Sequence, residues 1–205
     1  MIEKICRYLV QKMQQEMPDI DAEKAEVLQY GLEMVVGEVP KIFLLIAIAF
    51  LLGVGWLTLL AYVLILPYKV YSGGIHLKTH LGCILATTIF YCGNAWFSQM
   101  IVWPNPLIHG IGIVAVWLFG MRMCQLYAPA DTENVPILGQ KERQKKKKLS
   151  YVTLTISLLV SFFIPNVVIS NILWIGMFLQ SCMLSRVAYR LTKNQYGHEV
   201  YPVKN

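Results

Sequence analysis

Long apolar stretches dominate the chain and alternate with short polar connections. Three runs contain no charged residue, at 42–66, 81–121 and 149–185. Each run is interrupted by residues that favour a turn, namely Gly53-Val54-Gly55, Trp103-Pro104-Asn105-Pro106 and Pro165-Asn166. Division at these turns predicts six apolar helical segments. Their approximate bounds are 39–52, 56–71, 81–102, 107–124, 150–164 and 167–186.

The polar parts of the chain predict elements of a different kind. Residues 1–38 carry apolar positions at nearly helical spacing, and Met17-Pro18-Asp19 ends the first helix. Asp21 is placed to cap a second helix. We expect both to be amphipathic helices at the cytoplasmic face of a membrane. Residues 125–148 are predicted to form a cytoplasmic loop, and 187–205 a cytoplasmic tail.

This pattern predicts an all-α, polytopic integral membrane bundle that forms a single domain, residues 1–205. With six segments, every charged residue falls on one side of the membrane. The positive-inside rule then places both termini and residues 72–83 in the cytoplasm, in a multi-pass protein of the cell membrane. Segments such as 150–164 are shorter than the roughly 20 residues of a full span. Four full spans plus shorter helices are therefore the alternative.

Composition supports a membrane environment. The hydrophobic fraction of 56% and the charged fraction of 15% exclude an ordinary soluble domain. The net charge of +6 is better explained by an anionic lipid surface than by nucleic acid. The charged N-terminus predicts no cleavable signal peptide. The cysteines are odd in number and show no paired framework, which favours packing over disulfides for four of the five; they are Cys6, Cys83, Cys92, Cys124 and Cys182.

Candidate chemistry is concentrated between Ser72 and Cys83. His76 and Cys83 are seven residues apart, which on one helix is two turns and puts both side chains on one face. Alternatively, Gly73-Gly74 breaks the helix before His76 and lets the imidazole fold down to the sulfur. A cysteine needs a nearby base or cation to become a thiolate at neutral pH. The pattern therefore indicates a nucleophilic Cys–His pair.

Two other interpretations of these residues remain open at this point. Cys83 can be a small buried hydrophobe and His76 a hydrogen-bonded structural residue. His76, His80 and Cys83 also stand at i, i+4 and i+7, a helical face with ligands suited to zinc, although no fourth ligand is evident. The corresponding alternative function is a small membrane transporter or metal-binding membrane protein.

Three motifs along the chain belong together. They are Tyr30-Gly31-Leu32-Glu33, Gly73-Gly74-x-His76 followed by Cys83, and the loop from Tyr127 to Ile137 ahead of a basic run. These motifs resemble those of the AgrB (accessory gene regulator protein B) family. The similarity spans about residues 25–195. One departure is Lys69, where the family commonly has Arg, so that charge is kept but a bidentate contact is lost.

The resemblance implies a membrane cysteine endopeptidase that processes an AgrD-like precursor peptide into a cyclic quorum-sensing signal. By this resemblance Cys83 is the nucleophile and His76 its base, with no cofactor and no metal ion. The partners expected are the precursor peptide and the lipid bilayer, with a homodimer as one arrangement for so small a bundle and no nucleic acid.

Further residues are candidates for supporting roles. Glu33 is a candidate third group beside the pair, and Lys69 a candidate charged neighbour. Gly73 and Gly74 either offer backbone N–H groups as an oxyanion hole or simply provide flexibility. A basic run has two candidate roles; its members are Lys145, Lys146, Lys147 and Lys148. It either fixes the membrane topology through attraction to anionic lipid, at about 1 kcal/mol per cation, or binds an acidic segment of the precursor.

Overall fold

The computed structural model describes residues 2–17, 20–77, 79–103, 105–133 and 135–201. Within these ranges all regular secondary structure is helical, which confirms the all-α prediction. The helices are α1 (Ile2–Glu16), α2 (Ala22–Leu51), α3 (Gly55–Ser72), α4 (His80–Met100), α5 (Pro106–Tyr127), α6 (Gln140–Phe163), α7 (Val167–Cys182), α8 (Arg186–Leu191) and α9 (Gly197–Val200).

The chain divides into two compact units, residues 1–48 and 49–205. In the first unit α1 is amphipathic. The N–H of Lys24 donates to Oδ1 of Asp21 at 2.8 Å, so the predicted cap of α2 is confirmed. Helix α2 continues without interruption through Pro40 into the first predicted apolar segment.

All six predicted apolar segments are helical. Segment 39–52 is the C-terminal part of α2, and the other five correspond to α3 through α7. Two helical stretches are long and apolar enough to cross a membrane, Leu81–Met100 and Pro106–Tyr127. Val39–Leu51 and Val167–Cys182 are shorter apolar helices. Within the described residues, these two helices are therefore the clear candidates for full spans.

The predicted polar loop at 125–148 is shorter than expected. Helix α5 extends to Tyr127 and α6 begins at Gln140, so the irregular connection covers only 128–139. Lys, Arg, Gln and Glu are good helix formers, and Glu142 pairs with Lys146 one turn later at 2.9 Å. The basic run therefore forms the first turns of α6, ahead of its apolar part.

Helix α7 packs against α3, α4, α5 and α6 and is central to the second unit. Near its N-terminus the buried side chain of Asn171 is fully hydrogen-bonded. Its Nδ2 donates to the carbonyls of Ser98 and Ile101, both at 2.9 Å, and its Oδ1 accepts from Trp103 and Trp174. These bonds hold the end of α4 against α7. The opposite end of α7 brings Gln180 to the end of α3, where the candidate site lies.

Candidate functional site

The connection from α3 to α4 begins with two glycines in conformations that other residues rarely adopt. Gly73 has φ 74° and ψ −150°, a region almost restricted to glycine, and Gly74 has φ 141°. The N–H of Gly74 donates to the carbonyl of Ala130 at 2.8 Å, and the N–H of Ala130 donates to that of Ser72 at 2.8 Å. A Cβ at Gly73 would overlap the Ala130 carbonyl. The glycines therefore end α3 and let the chain pair with the 128–139 connection.

Both glycine N–H groups are already engaged. The N–H of Gly73 donates to the carbonyl of Lys69 at 3.0 Å, and that of Gly74 donates to Ala130. The geometry thus supports a conformational role for the pair over an oxyanion hole.

His76 lies in this connection and not on a helix. The chain follows the second of the two predicted conformations, in which the glycines break the helix, and helical structure resumes only at His80. The His76 side chain is exposed, while its backbone carbonyl accepts a hydrogen bond from Asn194 Nδ2 at 2.7 Å. The imidazole is therefore presented from a segment whose backbone is fixed by the C-terminal part of the chain.

Cys83 stands in the first turn of α4. Its N–H donates to the carbonyl of Thr79 at 3.0 Å, and the Thr79 hydroxyl caps the helix by accepting from Gly82 at 3.1 Å. The thiol is half-buried and is not in a disulfide. The capped start of α4 therefore fixes the position of the Cys83 thiol.

The helical face proposed for a zinc site is not formed. His76 precedes α4, so it does not share a helix with His80 and Cys83. Among the residues that the structure describes, no three His, Cys, Asp or Glu side chains are grouped closely enough to hold a metal ion. The side chains of Glu33 and His80 lie outside the described residues.

Lys69 occupies the last turn of α3, close to the glycines. Its ammonium lies 5.6 Å from the ring centroid of Tyr91, within the range of a cation–π interaction. Lys69 thus joins the end of α3 to α4 below the connection that carries His76.

Sequence reasoning did not single out the polar cluster around Asp131. The Asp131 side chain is fully buried and accepts from Arg143 Nη1 at 2.8 Å and from the Ile137 N–H at 3.1 Å. His198 Nδ1 lies 3.0 Å from its other oxygen. Burial alone would raise the pKa of this carboxyl, but the hydrogen bonds from His198, Ile137 and Arg143 and the Arg143 charge lower the pKa below its usual value. The only local signal was a pair of acids, Asp131 and Glu133, between Pro129 and Pro136.

The same cluster holds the C-terminal segment in place. The backbone carbonyl of Asp131 accepts from the Tyr189 hydroxyl at 3.0 Å and from the Gly197 N–H at 3.3 Å. The rings of Tyr189 and Tyr196 stack with centroids 3.9 Å apart. Residues 184–200 are therefore packed against the 128–139 connection, whose Ala130 in turn pairs with the glycines.

A cavity of about 450 Å³ opens beside this cluster, and we call it the loop groove. Its lining residues are Leu126, Tyr127, Ala128, Pro129, Gln140, Arg143, Gln144, Lys147 and His198. Of the basic run, Lys147 lines the groove and donates to the Gln125 carbonyl at 2.8 Å. Lys146 pairs with Glu142, and Lys145 and Lys148 are exposed.

Replacing Asp131 with Asn is expected to loosen the C-terminal segment. Removing one member of a buried ion pair costs about 3 kcal/mol. Because the folded pKa of Asp131 is lowered, its contribution is complete above the ordinary carboxyl pKa and is lost only as pH falls through the lowered value. Trypsin cleavage after Arg190 or Lys193 should therefore become faster in Asp131→Asn at neutral pH.

The matched control for this prediction is Glu142→Gln. Glu142 forms an exposed salt bridge with Lys146, one helical turn away, and this salt bridge stabilises the protein by about 0.5 kcal/mol or less. Its cleavage rate should stay at the wild-type value. Equal protection of residues 184–200 in Asp131→Asn and wild type would show that the cluster does not hold this segment.

Comparison with known proteins shows the family of this chain. The family model AgrB, accessory gene regulator B, matches residues 3–184. An AgrB-like protein of Listeria innocua is 27% identical over 175 residues, 85% of this chain and 83% of that protein. AgrB-like protein 2 of Clostridium perfringens strain 13 is 30% identical over 166 residues, 78% of this chain and 75% of that protein. No solved structure matches. The chain belongs to the AgrB family.

Proposed function

We propose that this protein is a multi-pass membrane cysteine endopeptidase that cleaves a short AgrD-like precursor peptide through a thioester on Cys83 and promotes its cyclisation. Membership of the AgrB family supports a role in the accessory gene regulator quorum-sensing system, in which an AgrD-like precursor is the expected partner. The observation that carries the proposal is the position of Cys83 in a helical first turn, directly after the connection that presents His76.

In the first step the Cys83 thiolate attacks a backbone carbonyl carbon of the precursor. The new C–S bond forms as the peptide C–N bond breaks, and His76 gives its proton to the leaving amine. The C-terminal fragment departs, and the N-terminal fragment remains as a thioester. A half-buried thiol and an exposed imidazole suit these roles, because the nucleophile is shielded while the acid reaches the leaving group.

In the second step an internal Cys or Ser of the bound fragment attacks the thioester carbonyl. His76 takes the proton of this thiol or hydroxyl as the new bond to the carbonyl carbon forms, and the C–S bond to Cys83 breaks. The product is a thiolactone or a lactone, and the Cys83 thiolate is regenerated. Water competes for the same carbonyl, so ring closure depends on holding the peptide nucleophile close, at a high effective concentration, and on a site with little water. Exchange of an amide for a thioester is uphill, and removal of the product drives it.

The loop groove is our candidate surface for an acidic segment of the precursor. Arg143 and Lys147 line it, and Ala128-Pro129 in its wall leads directly to Ala130, which pairs with Gly74. A peptide in the groove would therefore lie against the segment that supports the His76 connection. Lys145, Lys146 and Lys148 are assigned to the anionic membrane surface.

The six apolar segments are proposed to cross or enter the membrane with every charged connection on the cytoplasmic side. A single cysteine introduced at Asn105 or Asn166 should then be labelled by a membrane-impermeant reagent in intact cells. A cysteine at Gln140, the first residue of α6, should be labelled only after the cells are opened. External labelling at residue 140 as strong as at 105 would contradict this topology.

The experiment that tests the function compares two histidines seven or fewer residues from Cys83. His76→Ala should stop precursor cleavage in membranes, because the thiolate loses its base and the leaving amine its acid. His80→Ala, the matched control, should retain substantial activity. Expression and membrane insertion of both variants are checked by immunoblot.

The metal-binding alternative makes the opposite prediction. If zinc held by His76, His80 and Cys83 were essential, both histidine variants would be inactive and a chelator would inhibit the wild type. Loss of activity in His80→Ala together with cleavage by a Cys83→Ala variant would overturn the Cys–His mechanism.

A further inference from the structure

We infer that Gln180 and Asn194 are positioning residues, whose side-chain amides fix the backbone of residues 73–76 and thereby the placement of His76. The inference rests on the proposed function, in which His76 acts on Cys83. It assigns part of the reaction's geometry to the end of α7 and to the C-terminal segment, which lie 97 and 111 positions beyond Cys83 in sequence.

The two amides bind opposite ends of one short stretch. Gln180, 1% exposed, donates from Nε2 to the carbonyl of Gly73 at 2.7 Å and to the Ser72 hydroxyl at 3.2 Å. Asn194, 7% exposed, donates from Nδ2 to the carbonyl of His76 at 2.7 Å and to the Thr192 hydroxyl at 2.8 Å. The backbone from Gly73 to His76 is therefore held at both ends by buried donors from other parts of the chain.

Both side chains hold the stretch through their amide N–H donors. Within the described part of the chain, the amide oxygens Oε1 of Gln180 and Oδ1 of Asn194 are buried and accept no hydrogen bond from protein. Glutamate and aspartate have nearly the same shape but only acceptors, which would repel the two carbonyl oxygens. A substitution that removes the N–H donor but keeps the shape of the side chain therefore tests this role.

Residues 73–76 need such support because their own sequence does not restrict the backbone to one conformation. Gly73 and Gly74 have wide backbone freedom, and residues 73–77 lie outside any helix. A general base must stand within hydrogen-bond distance of the group it serves, and displacement by about 1 Å can cost a hundredfold in rate. Ala130 holds one side through the Gly74 N–H, and the two amides hold the carbonyl side.

The test uses Asn194→Asp, with Gln195→Glu as its matched control. Both changes add one negative charge at adjacent positions, but Gln195 is exposed. The full chain in membranes is alkylated with iodoacetamide over a range of pH, and modification of the Cys83 peptide is followed by mass spectrometry. Precursor cleavage is measured on the same membranes to give kcat and KM separately, with His76→Ala as the reference.

For Asn194→Asp we expect kcat to fall about tenfold or more with KM within about twofold of wild type. The pH profile of Cys83 alkylation should shift towards that of His76→Ala, a change that loss of folding alone would not produce. Gln195→Glu should match wild type in both measurements. Gln180→Met removes the other donor without adding charge, remains informative if Asn194→Asp does not insert, and should also lower kcat.

The outcomes distinguish a failure of this inference from a failure of the proposed function on which it rests. If wild type and His76→Ala alkylate with the same pH profile, the Cys–His pairing fails and the inference fails with it. If the profile depends on His76 but is unchanged in both Asn194→Asp and Gln180→Met, the positioning role alone is overturned.

Discussion

Replacement of Cys83 with Ala is expected to abolish precursor cleavage, because it removes the thiol on which the proposed thioester forms. Cys83→Ser should be nearly as inactive, with a loss of roughly a thousandfold or more, since a serine hydroxyl is a poor nucleophile without a strong base. The measurement is the rate of precursor cleavage in membranes that contain equal amounts of each variant.

Cys92→Ala is the matched control. It removes a thiol from the same helix, nine residues further on, where the side chain is buried at 6% exposure. Its activity should stay close to wild type. Cleavage by Cys83→Ala at the rate of Cys92→Ala would exclude Cys83 as the nucleophile.

Gly73→Ala is expected to lower activity about a hundredfold while the protein still inserts into the membrane. The φ of 74° and ψ of −150° cost about 1–3 kcal/mol for a residue with a Cβ. The new methyl would also overlap the Ala130 carbonyl, so the pairing with the 128–139 connection must shift. Movement of this pairing displaces His76, and displacement of about 1 Å is enough for a loss of this size.

Two control glycines distinguish the effect of backbone strain from the effect of the clash with Ala130. Gly53 also has a positive φ of 73°, but a Cβ there meets no atom within 4 Å, so Gly53→Ala carries backbone strain without a clash. Gly93, inside α4, has open space and an ordinary φ. Cleavage and thermal stability are measured for all three variants. If Gly73→Ala retains the activity of Gly53→Ala, the contact with Ala130 does not support the site.

The helices could be predicted from sequence because their signals are local. Uncharged apolar runs, interrupted by Gly-Val-Gly, Trp-Pro-Asn-Pro and Pro-Asn, predicted six segments that are all helical in the structure. The cap at Asp21 followed from the same kind of signal. The predicted start of α6 was wrong because the lysine run lies in the helix and not in a loop, since lysine is a good helix former.

The candidate site could be predicted only in part. The spacing of His76 and Cys83 and the two glycines predicted either one continuous helix or a break before His76, and the structure has the break. The hydrogen bonds around it join residues far apart in sequence, such as Gln180 with Gly73 and Asn194 with His76. No local pattern specifies such pairings. A glutamine near the end of an apolar run was a usable signal, because a buried polar group in an apolar helix needs a hydrogen-bond partner.

The most direct test of the central claim is detection of the thioester on Cys83. Membranes are mixed with precursor, quenched in acid within the first turnover and digested, and the Cys83 peptide is analysed by mass spectrometry. We predict a Cys83 peptide that is heavier by the N-terminal precursor fragment, is released by neutral hydroxylamine, and is missing in His76→Ala. Cleavage of the precursor at the wild-type rate with no adduct on Cys83 at any time of quenching would contradict the account.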